Sequence, residues 1–147
     1  MAKNITRISP AEAKKLIDEQ GYTYVDVRTE AEYLAGHPKG AQNVPVMSSG
    51  ARGMEPNPEF LKVVTAVYPK DAKLVVGCKG GNRSMRAAQM LLDAGFTSVV
   101  EQRAGWDGAR NAFGALTEPG WSPAGLPTET STPGGSYAEL KRRSAAG

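Results

Sequence analysis

The stretch Lys73-Leu74-Val75-Val76-Gly77-Cys78-Lys79-Gly80-Gly81-Asn82-Arg83-Ser84 decides the fold. Its first part is a compact run of β-forming apolar residues and reads as a strand. Its last residue begins a helix whose apolar positions Ala87, Ala88, Leu91 and Leu92 suit packing on a sheet before Gly95 caps it. Between the two stands the chain's only cysteine, followed by two glycines and accompanied by Lys79 and Arg83. A strand that turns through a glycine-rich loop into a helix is a unit of a parallel α/β sheet. Ligands of such sheets gather beyond the carboxyl ends of the strands, where free N–H groups and the positive end of a helix dipole are available.

Toward the N-terminus, Ser9-Pro10-Ala11-Glu12 supplies an N-cap, a proline at the first helical position and a capping-box glutamate. The helix runs to about Gln20 and ends at Gly21. Tyr22 to Val27 is rich in strand formers, with Asp26 near the carboxyl end and Arg28 just past it. Glu30 to Leu34 suits a short helix, Gly36 to Ala41 a turn, and Gln42 to Val46 a short edge strand, while Met47 to Glu55 reads as loop. Asn57-Pro58-Glu59 opens another helix, Phe60 to about Val67, with Leu61, Val64, Ala66 and Val67 as its apolar face and Pro69 as its bound. On the other side of the opening stretch, Thr97 to Glu101 is the next strand and Trp106 to Phe113 a last short helix. Strands alternating with helices predict an α/β domain over residues 1–117, with a mostly parallel sheet flanked by helices on both faces. Residues 118–147 carry Pro119, Pro123, Pro127 and Pro133 among glycines, serines and threonines. They read as a Pro/Gly-rich C-terminal extension with little regular structure until Ser136 to Lys141, which suits a helical turn or two.

A length of 147 residues with 40% apolar and 22% charged residues fits one folded domain with one core. The net charge of +3 is spread along the chain except for Lys141-Arg142-Arg143, so no nucleic-acid footprint is visible. Met1 to Arg7 lacks the apolar run of a secretion signal, and no stretch approaches the ~18 apolar residues that cross a membrane. The expectation is a cytoplasmic protein without a membrane partner. One cysteine excludes an intramolecular disulfide and any Cys-pair metal site, and no metal or cofactor is expected. The thiol is therefore either inert and buried or reactive.

Charged and glycine residues directly after Cys78 fit an inert apolar position poorly. Gly80 and Gly81 let several N–H groups converge on one point, a cup that stabilises an anion such as a thiolate, and Lys79 and Arg83 add positive charge. Cys78 is thus the candidate nucleophile, with Lys79, Gly80, Gly81, Asn82, Arg83 and Ser84 as candidate substrate-binding residues. Arg83 either binds an anionic substrate or anchors the loop to an acid such as Asp26. Ser84 is read as the helix N-cap and a hydrogen-bond donor to sulfur. Asp26 and Arg28 read as loop braces, with Glu32 as a partner for Arg28. His37, the only histidine, lies in a Gly-His-Pro turn and is not needed as a base, and Trp106 reads as core or site wall. Lys79 and Arg86 add field.

Asp26-Val27-Arg28, Glu32, Gly36-His37-Pro38-Lys39-Gly40-Ala41, Asn43-Val44-Pro45, Cys78-Lys79-Gly80-Gly81-Asn82-Arg83-Ser84 and Gly105-Trp106 together resemble the rhodanese homology domain in order and spacing, over residues 4 to about 115. Pro38 is a departure, at a position where the family usually has an aliphatic residue. The resemblance implies a central five-stranded sheet, a catalytic cysteine at Cys78 and a sulfurtransferase reaction. In that reaction the thiolate takes the outer sulfur of thiosulfate, sulfite leaves, and cyanide or a thiol removes the sulfur from a cysteine persulfide. The implied partners are a small-molecule sulfur donor and acceptor, with a protein acceptor as a further option. Cysteine phosphatases of similar fold use His-Cys-x5-Arg, one residue longer, whereas Gly77 stands in place of the histidine here. Two other classes remain: a sulfur carrier loaded by a partner protein's persulfide, and a non-catalytic binding module, which has no need of a thiol in its cup.

Overall fold

The computed structural model describes residues 4–146. Residues 1–3 and 147, the outermost parts of the two terminal segments considered above, lie outside the described residues. In chain order the elements are β1 (Thr6–Ile8), α1 (Pro10–Gln20), β2 (Thr23–Asp26), α2 (Glu30–Ala35), β3 (His37–Pro38), β4 (Gln42–Asn43), β5 (Met47–Gly50), β6 (Gly53–Pro56), α3 (Phe60–Val67), β7 (Lys73–Gly77), α4 (Asn82–Asp93), β8 (Ser98–Gln102), β9 (Gly108–Arg110), β10 (Leu116–Pro119), β11 (Thr128–Glu129) and α5 (Tyr137–Ala146).

Five strands form the central sheet in the order β1-β8-β7-β2-β4, and every neighbouring pair is parallel. Strand β7 sits in the middle, so both its faces are covered and Leu74, Val75 and Val76 are fully buried. Period-2 alternation then divides the core. Val25, Val27, Leu74, Val76 and Cys78 belong to one cluster, with Phe60, Val63 and Val64 of α3, Ala87, Ala88 and Leu91 of α4, and Leu140 of α5. Tyr24 and Val75 belong to the other, with Ile8, Ala13 of α1, Tyr33 of α2 and Trp121. Burying each such Val or Leu contributes about 1.5–3 kcal/mol relative to leaving it in water. The register Asp26↔Gly77 and Val76↔Glu101 brings the carboxyl ends of β2, β7 and β8 side by side, and the cysteine follows β7 directly.

Helix α1 starts with the expected capping box, Ser9 with Glu12, and ends at Gly21 in the left-handed region. Helix α2 carries a second box, Thr29 with Glu32. On α3, Val63 is buried and Ala66, expected on the apolar face, is exposed.

Three expectations are corrected, and one strand is added. The first strand, β1, is not visible as a three-residue segment by itself and exists through its pairing with β8. Met47 to Glu55, read as loop, forms with Pro56 the antiparallel hairpin β5–β6. Trp106 to Phe113, read as a helix, instead leads into the hairpin β9–β10, because Gly108 at φ +141 breaks the helical path and Asn111 closes a turn by accepting from the N–H groups of Phe113 and Ala115. The segment after Glu118, read as nearly structureless, contributes to the core. Trp121 is 1% exposed, donates from Nε1 to the Pro127 carbonyl at 2.6 Å and meets Tyr24 edge to face. Strand β11 pairs with β3, and α5 has ten residues, with Ser136 and Glu139 exchanging bonds at its start.

Among the described residues no helix is long and apolar enough to cross a membrane. No group of three or more His, Cys, Asp or Glu among them is placed to hold a metal ion.

Candidate active site

Cys78 leaves the carboxyl end of β7 with its residue surface 3% exposed, at the floor of a cavity of about 550 Å³. Lys79, Gly80, Asn82, Arg83, Asp107, Gly108 and Arg110 line the rest of that cavity. Gly77 precedes the cysteine because a Cβ there would lie 1.8 Å from the Tyr24 hydroxyl oxygen, which leaves no room for any side chain.

The loop turns at Gly81, whose φ of +102 and whose approach to the Arg103 carbonyl, 2.6 Å from an added Cβ, both require glycine. Gly81 is the N-cap of α4, and its N–H donates to Cys78 Sγ at 3.1 Å. The N-cap expected at Ser84 is thereby corrected: α4 begins at Asn82, and Ser84 lies inside its first turn, fully buried. Its hydroxyl is 3.3 Å from Cys78 Sγ and donates to Glu101 Oε2 at 2.5 Å. The expected contact between Ser84 and the sulfur is present, and either atom can be its donor. Glu101, also fully buried, accepts from Arg7 Nε at 2.7 Å through its other oxygen.

Arg83 is an anchor rather than a free cation. Its guanidinium makes a two-pronged bond to Glu32, at 2.6 and 3.0 Å, and so ties α4 to α2. Burial alone raises the Glu32 carboxyl, but hydrogen bonds from Arg83 and the Thr29 N–H outweigh it and hold the group at about 2. The same bond raises the Arg83 guanidinium against the opposing effect of burial. This corrects two expectations, since Asp26 is not Arg83's partner and Glu32 is not Arg28's. Arg28 instead clasps Asp26 through Nε and Nη2, donates to the Gly36 carbonyl at 2.6 Å and lies 4.9 Å over the Trp106 ring. Lys79 faces Asp107 at 3.7 Å, both side chains being more than half exposed. His37 is held by the Tyr33 carbonyl and Thr132 Oγ1 and stacks on the Tyr33 ring, away from the cavity lining.

Cys78, Lys79, Gly80, Asn82 and Arg83 thus line one cavity, with Gly81 and Ser84 contacting the sulfur from below. Sequence reasoning missed Glu101, Arg7, Asp107 and Arg110. Glu101 was accessible to it, because it lies near the carboxyl end of the strand next to β7 as Asp26 does on the other side. Arg110 was hidden by the helix expected there.

A thiol in a glycine-built turn past the carboxyl end of a central parallel strand places the chain among α/β proteins whose active loop joins a strand to the following helix. Residues 9–112 match the family described as the Rhodanese-like domain, and the chain belongs to that family. Thiosulfate sulfurtransferase 16, chloroplastic, of Arabidopsis thaliana is 40% identical over 109 residues, which cover 74% of this chain and 81% of that one. Senescence-associated protein DIN1 of Raphanus sativus is 39% identical over 97 residues, 66% of this chain and 53% of its own, so this chain spans about half of that relative. Among solved structures, Rv0390 from M. tuberculosis aligns with a TM-score of 0.71 at 28% identity, over 88% of this chain and 100% of that one.

Proposed function

We propose that the protein is a sulfurtransferase that moves the sulfane sulfur of thiosulfate, or of a related persulfide donor, to a thiophilic acceptor through a persulfide on Cys78. The observation that carries this reading is the Gly81 N–H aimed at Cys78 Sγ beneath an open cavity. Kinship with a protein named as a thiosulfate sulfurtransferase supports it. The Cys78 thiolate attacks the outer sulfur of thiosulfate, an S–S bond forms, and sulfite leaves with the electron pair of the bond that breaks. Cyanide or an acceptor thiolate then attacks the outer sulfur of the persulfide and regenerates the Cys78 thiolate. Two transfers through one covalent intermediate predict ping-pong kinetics.

The commitment of Arg83 to Glu32 counts against phosphoryl chemistry, since a loop arginine bound on both prongs has no free fork for a phosphate. The reading includes a cytoplasmic setting, where a lone reduced cysteine and thiol acceptors coexist. A small molecule or a cysteine of another protein serves as acceptor. The test is the mass of the intact protein after incubation with thiosulfate. A gain of about 32 Da, one sulfur atom, is expected, reversed by cyanide and absent in Cys78→Ser. An adduct that persists in Cys78→Ser, or none in the unmodified protein, overturns the reading.

A further inference from the structure

Three cations line the cavity above Cys78: Lys79, Arg83 and Arg110. Two are already matched by acids, Arg83 by Glu32 at 2.6 Å and Lys79 by Asp107 at 3.7 Å. Arg110 is different. Its guanidinium donates to the Gly114 carbonyl at 2.9 Å, and among the described residues no carboxylate pairs with it. A second polar cavity, of about 470 Å³, adjoins the first, and Gly80, Asn82 and Arg110 belong to both. The other two arginines of that second cavity are also matched, Arg7 by Glu101 and Arg103 by Glu118. The unmatched positive charge at the mouth of the cysteine's cup therefore belongs to Arg110.

The hairpin that carries Arg110 is bonded to the cup itself. Trp106 N–H donates to the Cys78 carbonyl at 2.7 Å and Asp107 N–H to the Lys79 carbonyl at 3.0 Å, just before β9 begins. A Cβ on Gly80 would lie 3.4 Å from the Gly108 carbonyl, so the loop and the hairpin meet in van der Waals contact there. The position of Arg110 relative to Cys78 is set by these contacts, while its side chain stays in solvent at the rim.

We propose that Arg110 forms an oxyanion subsite for the sulfur donor, taking the sulfonate or equivalent anionic end while the sulfur to be transferred points down to Cys78. This rests on the sulfur-transfer reading and names its donor class as small anions whose charge lies one or two bonds from the reacting atom. A planar guanidinium fork matches such an oxyanion group and opposes the negative charge that grows on it as the S–S bond breaks.

Two alkylating reagents of equal size test the subsite without any sulfur transfer: iodoacetate, which is anionic, and iodoacetamide, which is neutral. Each attaches to Cys78, and the ratio of their rate constants measures attraction of an anion to the mouth of the cup. In low-salt buffer Arg110→Ala is expected to lower the iodoacetate-to-iodoacetamide ratio by about five- to ten-fold, with Arg110→Lys between the two, as suits a partly screened charge lining the same cavity. The KM for thiosulfate rises in parallel. A ratio unchanged in Arg110→Ala overturns the subsite, including the case in which both rates fall together because the hairpin has shifted. Failure of the sulfur-transfer reading shows separately, as the absence of the 32 Da adduct (about one sulfur) in a protein whose alkylation ratio still responds to Arg110.

Discussion

Replacing Glu32 by Gln isolates the bond that holds the loop's arginine. A glutamine at this position still closes the capping box with Thr29, so α2 keeps its start, while the negative charge facing Arg83 disappears. The pair is bidentate, and its side chains are 15% and 29% exposed. Holding the Glu32 carboxyl at about 2, against its ordinary 4.5, corresponds to about 3 kcal/mol if no solvent screened it. With both side chains partly in contact with water, roughly half of that survives, ~1.5 kcal/mol. The sign follows from linkage. A carboxyl depressed by folding contributes stability above its unfolded value of 4.5, and the contribution drains away as pH falls toward the folded value of about 2.

The assay is a double-mutant cycle by urea unfolding, with Glu32→Gln, Arg83→Gln and the double variant, at pH 7 and pH 3. A coupling of about 1.5 kcal/mol is expected at pH 7, and about half of it or less at pH 3. A coupling below about 0.3 kcal/mol at pH 7, or one of equal size at both pH values, refutes the reasoning, because the pair would then not be an ionic anchor.

Gly81→Val is expected to lower the thiosulfate rate about a hundred-fold or more, because φ +102 and the nearby Arg103 carbonyl exclude a side chain and the strained backbone draws its N–H away from Cys78. Lys79→Ala should cost less than about three-fold, since its charge is exposed and already faces Asp107. Equal losses in the two variants, with the fold intact by circular dichroism, would move the activation of Cys78 from the backbone to side-chain charge. Leu140→Ala, which empties a fully buried position on α5, should lower unfolding free energy by about 2–4 kcal/mol in urea titrations. A loss under about 0.5 kcal/mol would mean that α5 does not belong to the cooperative core.

How much of this was legible in the sequence depends on the range of the contacts involved. Strand β7, the glycine turn and α4 are local, and a run of Leu and Val before glycines shows them without outside help. The Ser9–Glu12 box was legible for the same reason. The partner of Arg83 was not, because 51 residues separate it from Glu32 and nothing in spacing ranks Glu32 above Asp26. Hairpin β9–β10 escaped because strands of three and four residues are too short to display alternation. The C-terminal segment misled through its prolines and glycines. Its large apolar residues, Trp121, Tyr137 and Leu140, were the signal that it has something to bury, and its anchor points lie far off, at Tyr24, Asn57 and Pro38.

That hairpin also accounts for the polarity of the cup. A peptide loop offers as many carbonyl oxygens as N–H groups, and a loop that holds an anion must keep the oxygens turned away. Here the Cys78 carbonyl is taken by the Trp106 N–H and the Lys79 carbonyl by the Asp107 N–H, so neither oxygen is left unpaired in the loop. Gly105 makes this possible, since a Cβ there would lie 2.5 Å from each of those two carbonyl oxygens. Trp106 is held in turn by Arg28 over its ring and by Gly36, where an added Cβ would come within 3.1 Å of the indole. Arg28 is fixed by Asp26 at the end of β2. The buried Asp26–Arg28 pair therefore acts on the cup at a distance: it costs desolvation, returns part of that through its several hydrogen bonds, and braces the tryptophan whose N–H takes the Cys78 carbonyl. Asp26 and Arg28, which the sequence marked as braces, Trp106, read as core or site wall, and the candidate nucleophile Cys78 are thereby joined in a single chain of contacts.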